Sequence, residues 1–161
     1  MSGNLCPICG KGRLETKHEV RRYGSGIDVT LVNVPVHRCP SCGEEILVIP
    51  AIEALHKLIA HDLAHSRGRL RPGEIRFLRT YLGYSSTDFA HAMGVTPETV
   101  SRWESKQAPQ QMAPTAERLL RLMTLQDKPI KSYGLEDVGA GEQAAPGSLR
   151  LRPTAAGWAT A

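Results

Sequence analysis

The chain has 161 residues, of which 41% are hydrophobic and 22% are charged, and its formal net charge is +4. This composition is typical of a folded protein, but only 5% of the residues are aromatic, so a small domain has few large side chains for its core. No segment approaches the roughly 18 apolar residues of a membrane-spanning helix, and no signal-peptide pattern begins the chain. We therefore expect a cytoplasmic protein with no membrane partner.

The positive charge is concentrated in the middle of the chain. Residues 66–126 contain nine Lys and Arg against five Asp and Glu, whereas the segments on either side are balanced. Lys and Arg gain affinity for polyanions by displacing counterions from phosphates. The segment is therefore typical of a nucleic-acid-binding surface, although a merely solvated surface of mixed charge is the alternative on charge alone.

All four cysteines lie in two Cys-x-x-Cys pairs, Cys6 with Cys9 and Cys39 with Cys42, and each pair is followed by glycine. Two residues between thiolates allow one tight turn to direct both sulfurs at one ion, and the following glycine is free to take a positive φ. Two such turns complete a tetrahedral site with no open position for water. The pattern predicts a structural Zn²⁺ rather than a catalytic one.

The 29 residues between the two pairs contain two strand patterns, over residues 13–23 and 27–36, separated by Gly24-Ser25-Gly26. They predict a β-hairpin, which returns its ends to the same place and so brings the two cysteine pairs together. After Pro50, apolar residues recur at spacings of three and four from Ile52 to Leu63, which predicts an amphipathic helix ending near residue 68.

Four further helical patterns follow, at residues 74–82, 86–93, 96–105 and about 114–125. The sequence thus predicts an α+β fold with four parts: residues 1–66 form a zinc-binding domain with a connecting helix, 67–72 a basic linker, 73–126 an all-α helix-turn-helix domain, and 127–161 a mostly disordered tail. The linker arginines, Arg67, Arg69 and Arg71, could follow a DNA backbone or could simply be solvated.

The strongest pattern lies in residues 86–104. Gly94 ends one helix and permits a tight turn, Thr96 can cap the next helix, and Val100 and Trp103 fall on one inward side. This is the pattern of a helix-turn-helix, in which the second helix enters the major groove of DNA.

If Val100 and Trp103 face inward, the opposite side of that helix faces a duplex. The predicted DNA-contacting residues are Ser86, Thr87, Thr96, Pro97, Glu98, Ser101, Arg102, Ser105 and Lys106. Arg102 is the candidate for a bidentate contact with guanine, or it pairs with Glu98 one turn earlier. Ser86 and Thr87 are expected to cap the preceding helix and could also touch phosphate.

Together these motifs resemble the MqsA-type antitoxins, also called the YgiT-type zinc finger family, with an Xre-like helix-turn-helix. The likeness rests on the two Cys-Pro-x-Cys-Gly turns, the connecting helix and the run Gly-Val-Thr-Pro-Glu-Thr-Val-Ser-Arg-Trp-Glu, and it covers residues 6 to about 125. The resemblance implies that Cys6, Cys9, Cys39 and Cys42 bind zinc and that Arg102 reads bases. The best-known members have asparagine where this chain has Glu98.

The resemblance also implies an antitoxin of a type II toxin-antitoxin system, which neutralises an mRNA-cleaving toxin and represses its own operon. We therefore expect a transcriptional repressor that binds a specific sequence of double-stranded DNA. We also expect a homodimer, because one recognition helix reads too few bases. The alternative is a zinc-containing helix-turn-helix regulator without a toxin partner. An enzyme is not expected, because no nucleophile, base and open metal site converge in the sequence.

Overall fold

The computed structural model describes residues 5–24, 26–135, 137–138 and 149–160. It confirms the α+β class, with an N-terminal antiparallel sheet followed by helices. The elements in chain order are β1 (Glu15–Arg22), β2 (Thr30–Arg38), β3 (Glu45–Leu47), α1 (Ile52–His65), α2 (Pro72–Tyr81), α3 (Ser86–Ala92), α4 (Pro97–Trp103), α5 (Pro114–Leu125), a 3-10 helix (Ile130–Tyr133), β4 (Leu151–Thr154) and β5 (Gly157–Thr160). Within the described residues, every helix is too short or too polar to cross a bilayer.

The predicted hairpin is formed by β1 and β2, and β3 adds a third strand on the other side of β2. The β1–β2 register slips between the pairs Glu19↔Val34 and Arg21↔Leu31, so β2 carries one extra residue there. Asn33 lies in this bulge with a φ of 57°. The bulge interrupts the alternation of side chains along β2, so the residues before it and Val34 and Val36 after it do not follow one unbroken period of two.

We call β1–β3 and the two Cys-x-x-Cys turns the cysteine module, residues 5–47. Its hairpin turn packs directly on the helices: Ile27 is buried in the same core cluster as Ile75 and Leu78 of α2. A Cβ on Gly73, at the start of α2, would lie only 2.1 Å from the carbonyl oxygen of Gly26. The absence of a side chain at Gly73 is therefore what allows the hairpin turn to approach α2.

A buried carboxylate joins the end of α1 to α5. The side chain of Glu117 is 7% exposed and accepts hydrogen bonds from Arg69 Nε at 2.6 Å and from Arg121 Nη2 at 2.8 Å. Burial raises the pKa of Glu117, but the hydrogen bonds from Arg69 and Arg121 outweigh it and hold the pKa below its usual value. Arg121 also donates to backbone carbonyls where α1 ends, at Ala64 (3.1 Å) and Ser66 (2.5 Å), which have no partner within the helix.

Asp127, just after α5, ties three elements together. Its carboxylate accepts hydrogen bonds from Lys57 Nζ at 2.6 Å, from Tyr81 Oη at 2.6 Å and from the ring of His61 at 2.9 Å. These partners, Lys57 first, hold the pKa of Asp127 well below its usual range. Burial and the hydrogen bond to Asp127 raise the pKa of Tyr81 to about 12. Asp127 therefore anchors the end of α5 to α1 and α2.

The segment predicted as a mostly disordered tail contains short described elements. Ile130, in the 3-10 helix, packs against the helical core, and β4 pairs with β5 from Leu151↔Thr160 to Thr154↔Gly157. Trp158 of this C-terminal hairpin is 73% exposed. Residues 136, 139–148 and 161 lie outside the described residues, and for them disorder stays a prediction.

Substitution of Glu117 tests how much its ion pairs with Arg69 and Arg121 stabilise the fold. Replacing Glu117 by Gln keeps the shape but leaves two guanidinium groups without a counter-charge. We expect the free energy of unfolding to fall by about 3 kcal/mol, the low end for breaking a buried ion pair, because Arg69 is partly solvated. The measurement is urea denaturation followed by circular dichroism. The matched control, Asp62→Asn on the exposed face of α1, should change stability by less than about 0.5 kcal/mol; similar losses in both variants would contradict the assignment.

Candidate metal centre and nucleic-acid interface

The four cysteines converge on one point. Their sulfur atoms all lie within 4.8 Å of one another, and two of the separations, Cys6 to Cys42 and Cys9 to Cys39, are 3.7 Å. A tetrahedron with zinc–sulfur bonds of about 2.3 Å has sulfur–sulfur edges of about 3.8 Å. The cluster can therefore hold a metal ion of that size, and four thiolates are a donor set that structural zinc takes.

Each Cys-x-x-Cys pair sits in a tight turn closed by the glycine that follows it. The amide of Gly10 donates to the carbonyl of Cys6, and the amide of Gly43 donates to the carbonyl of Cys39, both at 2.9 Å. The φ angles of Gly10 and Gly43 are 66° and 75°, as predicted for these two positions. Pairing of β1 with β2 begins at Glu15↔Arg38, so the hairpin holds the two turns side by side.

Gly12 is part of this centre, although the spacing of residues in the sequence does not predict it. Hydrogen bonds from the backbone amides of Gly12 and Lys11 lower the pKa of the Cys9 thiol to about 6, which favours the thiolate that binds metal. A Cβ on Gly12 would lie 2.5 Å from the sulfur of Cys39 and 2.7 Å from the hydroxyl of Ser41. The sequence offers one signal for this role, a second glycine two residues after Gly10. Local spacing alone does not connect that glycine to Cys39.

Helix α4 is built as its sequence predicts. Thr96 precedes it, and its hydroxyl accepts a hydrogen bond from the amide of Thr99 at 3.3 Å. Gly94, in the turn between α3 and α4, has a φ of 64°. Val100 is fully buried and Trp103 is 3% exposed, which confirms the two predicted anchors of the helix. Arg102 points the other way and is exposed.

Most of the predicted DNA-contacting side chains are accessible. Seven of the nine are exposed and the other two are half-buried; the exposed ones are Thr87, Thr96, Pro97, Glu98, Ser101, Arg102 and Lys106, and the half-buried ones are Ser86 and Ser105. Ser86, Ser101 and Ser105 line one shallow depression of about 270 Å³ between α2, α3 and α4. These three side chains, from α3, α4 and the turn after α4, therefore face a common space, as a helix-turn-helix surface requires.

One local prediction on this face is wrong. Ser85, not Ser86 or Thr87, caps α3, because the Ser85 hydroxyl accepts the amide of Asp88 at 3.1 Å. The Ser105 hydroxyl accepts the amide of Ala108 at 3.2 Å, so it also closes the turn after α4.

The carboxylate of Glu98 interacts chiefly with groups at the start of α4. Its own backbone amide and the hydroxyl of Thr96 hold the pKa of Glu98 below its usual value, and the charge of Arg102 has the smallest effect. Glu98 thus acts mainly as a helix-terminal carboxylate. Of the two interpretations of Arg102, the arrangement favours the outward one, in which its guanidinium is available to a ligand.

Glu104 fixes the end of α4, a role that sequence spacing did not reveal. Its side chain is 5% exposed and accepts hydrogen bonds from Arg79 at 2.6 and 3.0 Å and from Arg76 at 3.1 Å. Arg79 also donates to the carbonyl of Tyr84 at 2.8 Å, in the turn before α3. This network joins α4 to α2 and to the α2–α3 turn. Arg76, whose side chain is 66% exposed, adds a cation beside Ser86 and Ser101.

Comparison with known proteins agrees with this geometry. Residues 75–125 match the helix-turn-helix family, a range that runs from α2 to the end of α5. The chain therefore contains a helix-turn-helix domain, the unit with which transcription regulators bind DNA. The cysteine module lies outside the matched range, and a search of curated proteins finds no match to the chain.

The position of Gly12 yields a prediction about metal binding. In Gly12→Ala, the new methyl group displaces the Cys39 sulfur or the Ser41 hydroxyl, and we expect zinc affinity to fall by roughly 10–100-fold, the range for disturbing groups around metal ligands. Competition with a chromogenic chelator measures it. Gly24→Ala is the matched control, because a Cβ on Gly24 meets nothing within 4 Å. Equal affinity in the two variants would contradict the role assigned to Gly12.

Proposed function

We propose that this protein is a sequence-specific DNA-binding transcriptional repressor that uses α4 as its recognition helix. The observation that carries the proposal is the orientation of α4: Val100 and Trp103 are buried, while Arg102 is exposed on the opposite side. An exposed arginine on a helix held this firmly suits a bidentate contact with guanine. The match of residues 75–125 to the helix-turn-helix family supports the same conclusion.

The repressor acts as a homodimer in this proposal. A helix of seven residues, Pro97–Trp103, presents few side chains to base edges. Dimers of helix-turn-helix proteins read two half-sites about 34 Å apart, or a multiple of that distance, and so double the number of bases recognised. We therefore expect the operator to be a palindrome or an imperfect one.

The cysteine module binds a structural Zn²⁺ in the same proposal. The module has a small core of its own, and a metal bound by four thiolates supplies folding free energy that its few buried side chains do not. Because Ile27 reaches the core shared with α2, an ordered module also covers part of the helix-turn-helix domain. Four thiolates complete the coordination of the ion, so the proposal assigns it no catalysis.

We further propose that the cysteine module binds a toxin, as the resemblance to MqsA-type antitoxins implies. The structure offers a supporting feature: Val20 and Val32 lie within the bulge of the β1–β2 pair and are 64% and 70% exposed. Two exposed apolar side chains on neighbouring strands suit a protein partner. The alternative is a transcription regulator of the same build without a toxin.

Arg102→Ala tests the DNA-binding role. The variant should lose about 1–3 kcal/mol of discrimination between the DNA upstream of its own gene and a random duplex, while non-specific affinity changes little. Fluorescence anisotropy with both duplexes measures the two affinities. Arg152→Ala, which removes the same charge from the C-terminal hairpin, should behave as the unaltered protein. If Arg102→Ala weakens binding to both duplexes equally, Arg102 does not read bases.

The toxin assignment has a separate test. A small basic protein encoded next to this gene should co-purify with the full chain, and Val20→Asp with Val32→Asp should abolish that complex because the charges remain unpaired in the interface. The same double variant should still bind the upstream duplex, which shows that it folds. The lack of any such neighbouring gene would favour the regulator without a toxin. A complex that survives both substitutions would favour a different contact surface.

A further inference from the structure

A basic cleft lies on the helical domain, at the junction of the end of α1, the linker and the start of α5. We call it the arginine cleft; it has a volume of about 400 Å³, and four arginines line it: Arg67, Arg69, Arg118 and Arg121. One carboxylate, that of Glu117, lines it with them. The lining therefore has a clear excess of positive charge.

Two of the four arginines maintain the shape of the cleft. Arg69 and Arg121 both bind Glu117, and Arg121 also donates to the carbonyls of Ser66 and Gly68, each at 2.5 Å. Their guanidinium groups are thus held in place by partners within the chain. The linker is consequently a fixed wall of the cleft rather than a loose arm.

The other two arginines, Arg67 and Arg118, are exposed. Within the described part of the chain, no carboxylate lies within ion-pairing distance of either guanidinium. Two exposed guanidinium groups that line the same preformed cleft, beside a carboxylate that is already neutralised, suit an anion with several oxygens. A phosphate group has that chemistry.

The cleft is linked directly to the recognition helix. The carbonyl of Arg102 accepts a hydrogen bond from the amide of Gln110 at 3.1 Å. Two residues further along, the carbonyl of Met112 accepts one from Arg69. The short segment from Gln110 to Met112 therefore joins the end of α4 to Arg69, which lines the arginine cleft. A helix that enters the major groove, which is about 12 Å wide, is bordered on both sides by phosphate backbones.

We propose that the arginine cleft binds a backbone phosphate of the DNA whose major groove α4 reads, with Arg67 and Arg118 as the phosphate ligands. This inference rests on the proposed function of α4. The contact carries no sequence information itself; it positions α4 in the groove and adds affinity for any duplex. Arg71 takes no part, because its side chain is bound to Glu74 at 2.7 Å in the cap of α2.

The test is the salt dependence of DNA binding by Arg67→Ala with Arg118→Ala. Loss of one phosphate contact should reduce the slope of log K against log salt by about 0.9, and affinity by about fivefold at 0.15 M salt. The loss should be equal for a duplex of the DNA upstream of the gene and for a random duplex. Lys17→Ala with Arg152→Ala, two exposed cations outside the cleft, is the control with the same charge change, and it should leave the slope unaltered.

The outcomes separate this inference from the proposed function. If the unaltered protein does not prefer the upstream duplex, the proposed function fails. If it does prefer that duplex and the cleft variant keeps the full slope, or loses no more slope than the control, the cleft does not bind DNA. Inorganic pyrophosphate could also stabilise the unaltered protein, but not the cleft variant, against thermal unfolding. If the cleft variant also keeps the full salt slope of DNA binding, the cleft binds a free phosphate compound, and the proposed DNA contact is overturned.

Discussion

The geometry of the DNA-binding face depends on how α4 is held against the rest of the helical domain. Val100 and Trp103 anchor one side of this short helix in the core, and the buried carboxylate of Glu104 ties its end to Arg79 and Arg76. A helix of seven residues is too short to be stable by itself. Its conformation and its orientation are therefore both products of tertiary contacts, and the exposure of Arg102 follows from them.

The basic residues of the helical segment divide into two groups. Five arginines form ion pairs with three carboxylates of the same segment: Arg69 and Arg121 with Glu117, Arg71 with Glu74, and Arg76 and Arg79 with Glu104. The other four cations of the segment are Arg67, Arg102, Lys106 and Arg118, all of them exposed. The first group stabilises the fold, and the second group supplies the proposed contacts with DNA.

The cysteine module and the helical domain share part of their packing. Ile27 lies in the helical core, and the backbone of Gly26 approaches Gly73 so closely that a residue larger than glycine does not fit at position 73. The hairpin that joins the two cysteine turns is thus the same element that rests on α2. In the proposed antitoxin, this contact is a physical link between the part that binds a toxin and the part that binds DNA.

The sequence by itself determined the features that depend on local spacing. The two Cys-x-x-Cys turns, their glycines with positive φ, the hairpin between them and the burial of Val100 and Trp103 follow from residues close together in the chain or from a simple period. Only the tertiary structure decided which arginines are engaged, since Glu117 lies 48 residues from Arg69 and Glu104 lies 25 residues from Arg79. It also decided that Gly12 contacts Cys39, that Ser85 caps α3 and that Arg67 and Arg118 face one cleft. Such pairings depend on how separate elements pack, and no pattern within a single element contains that information.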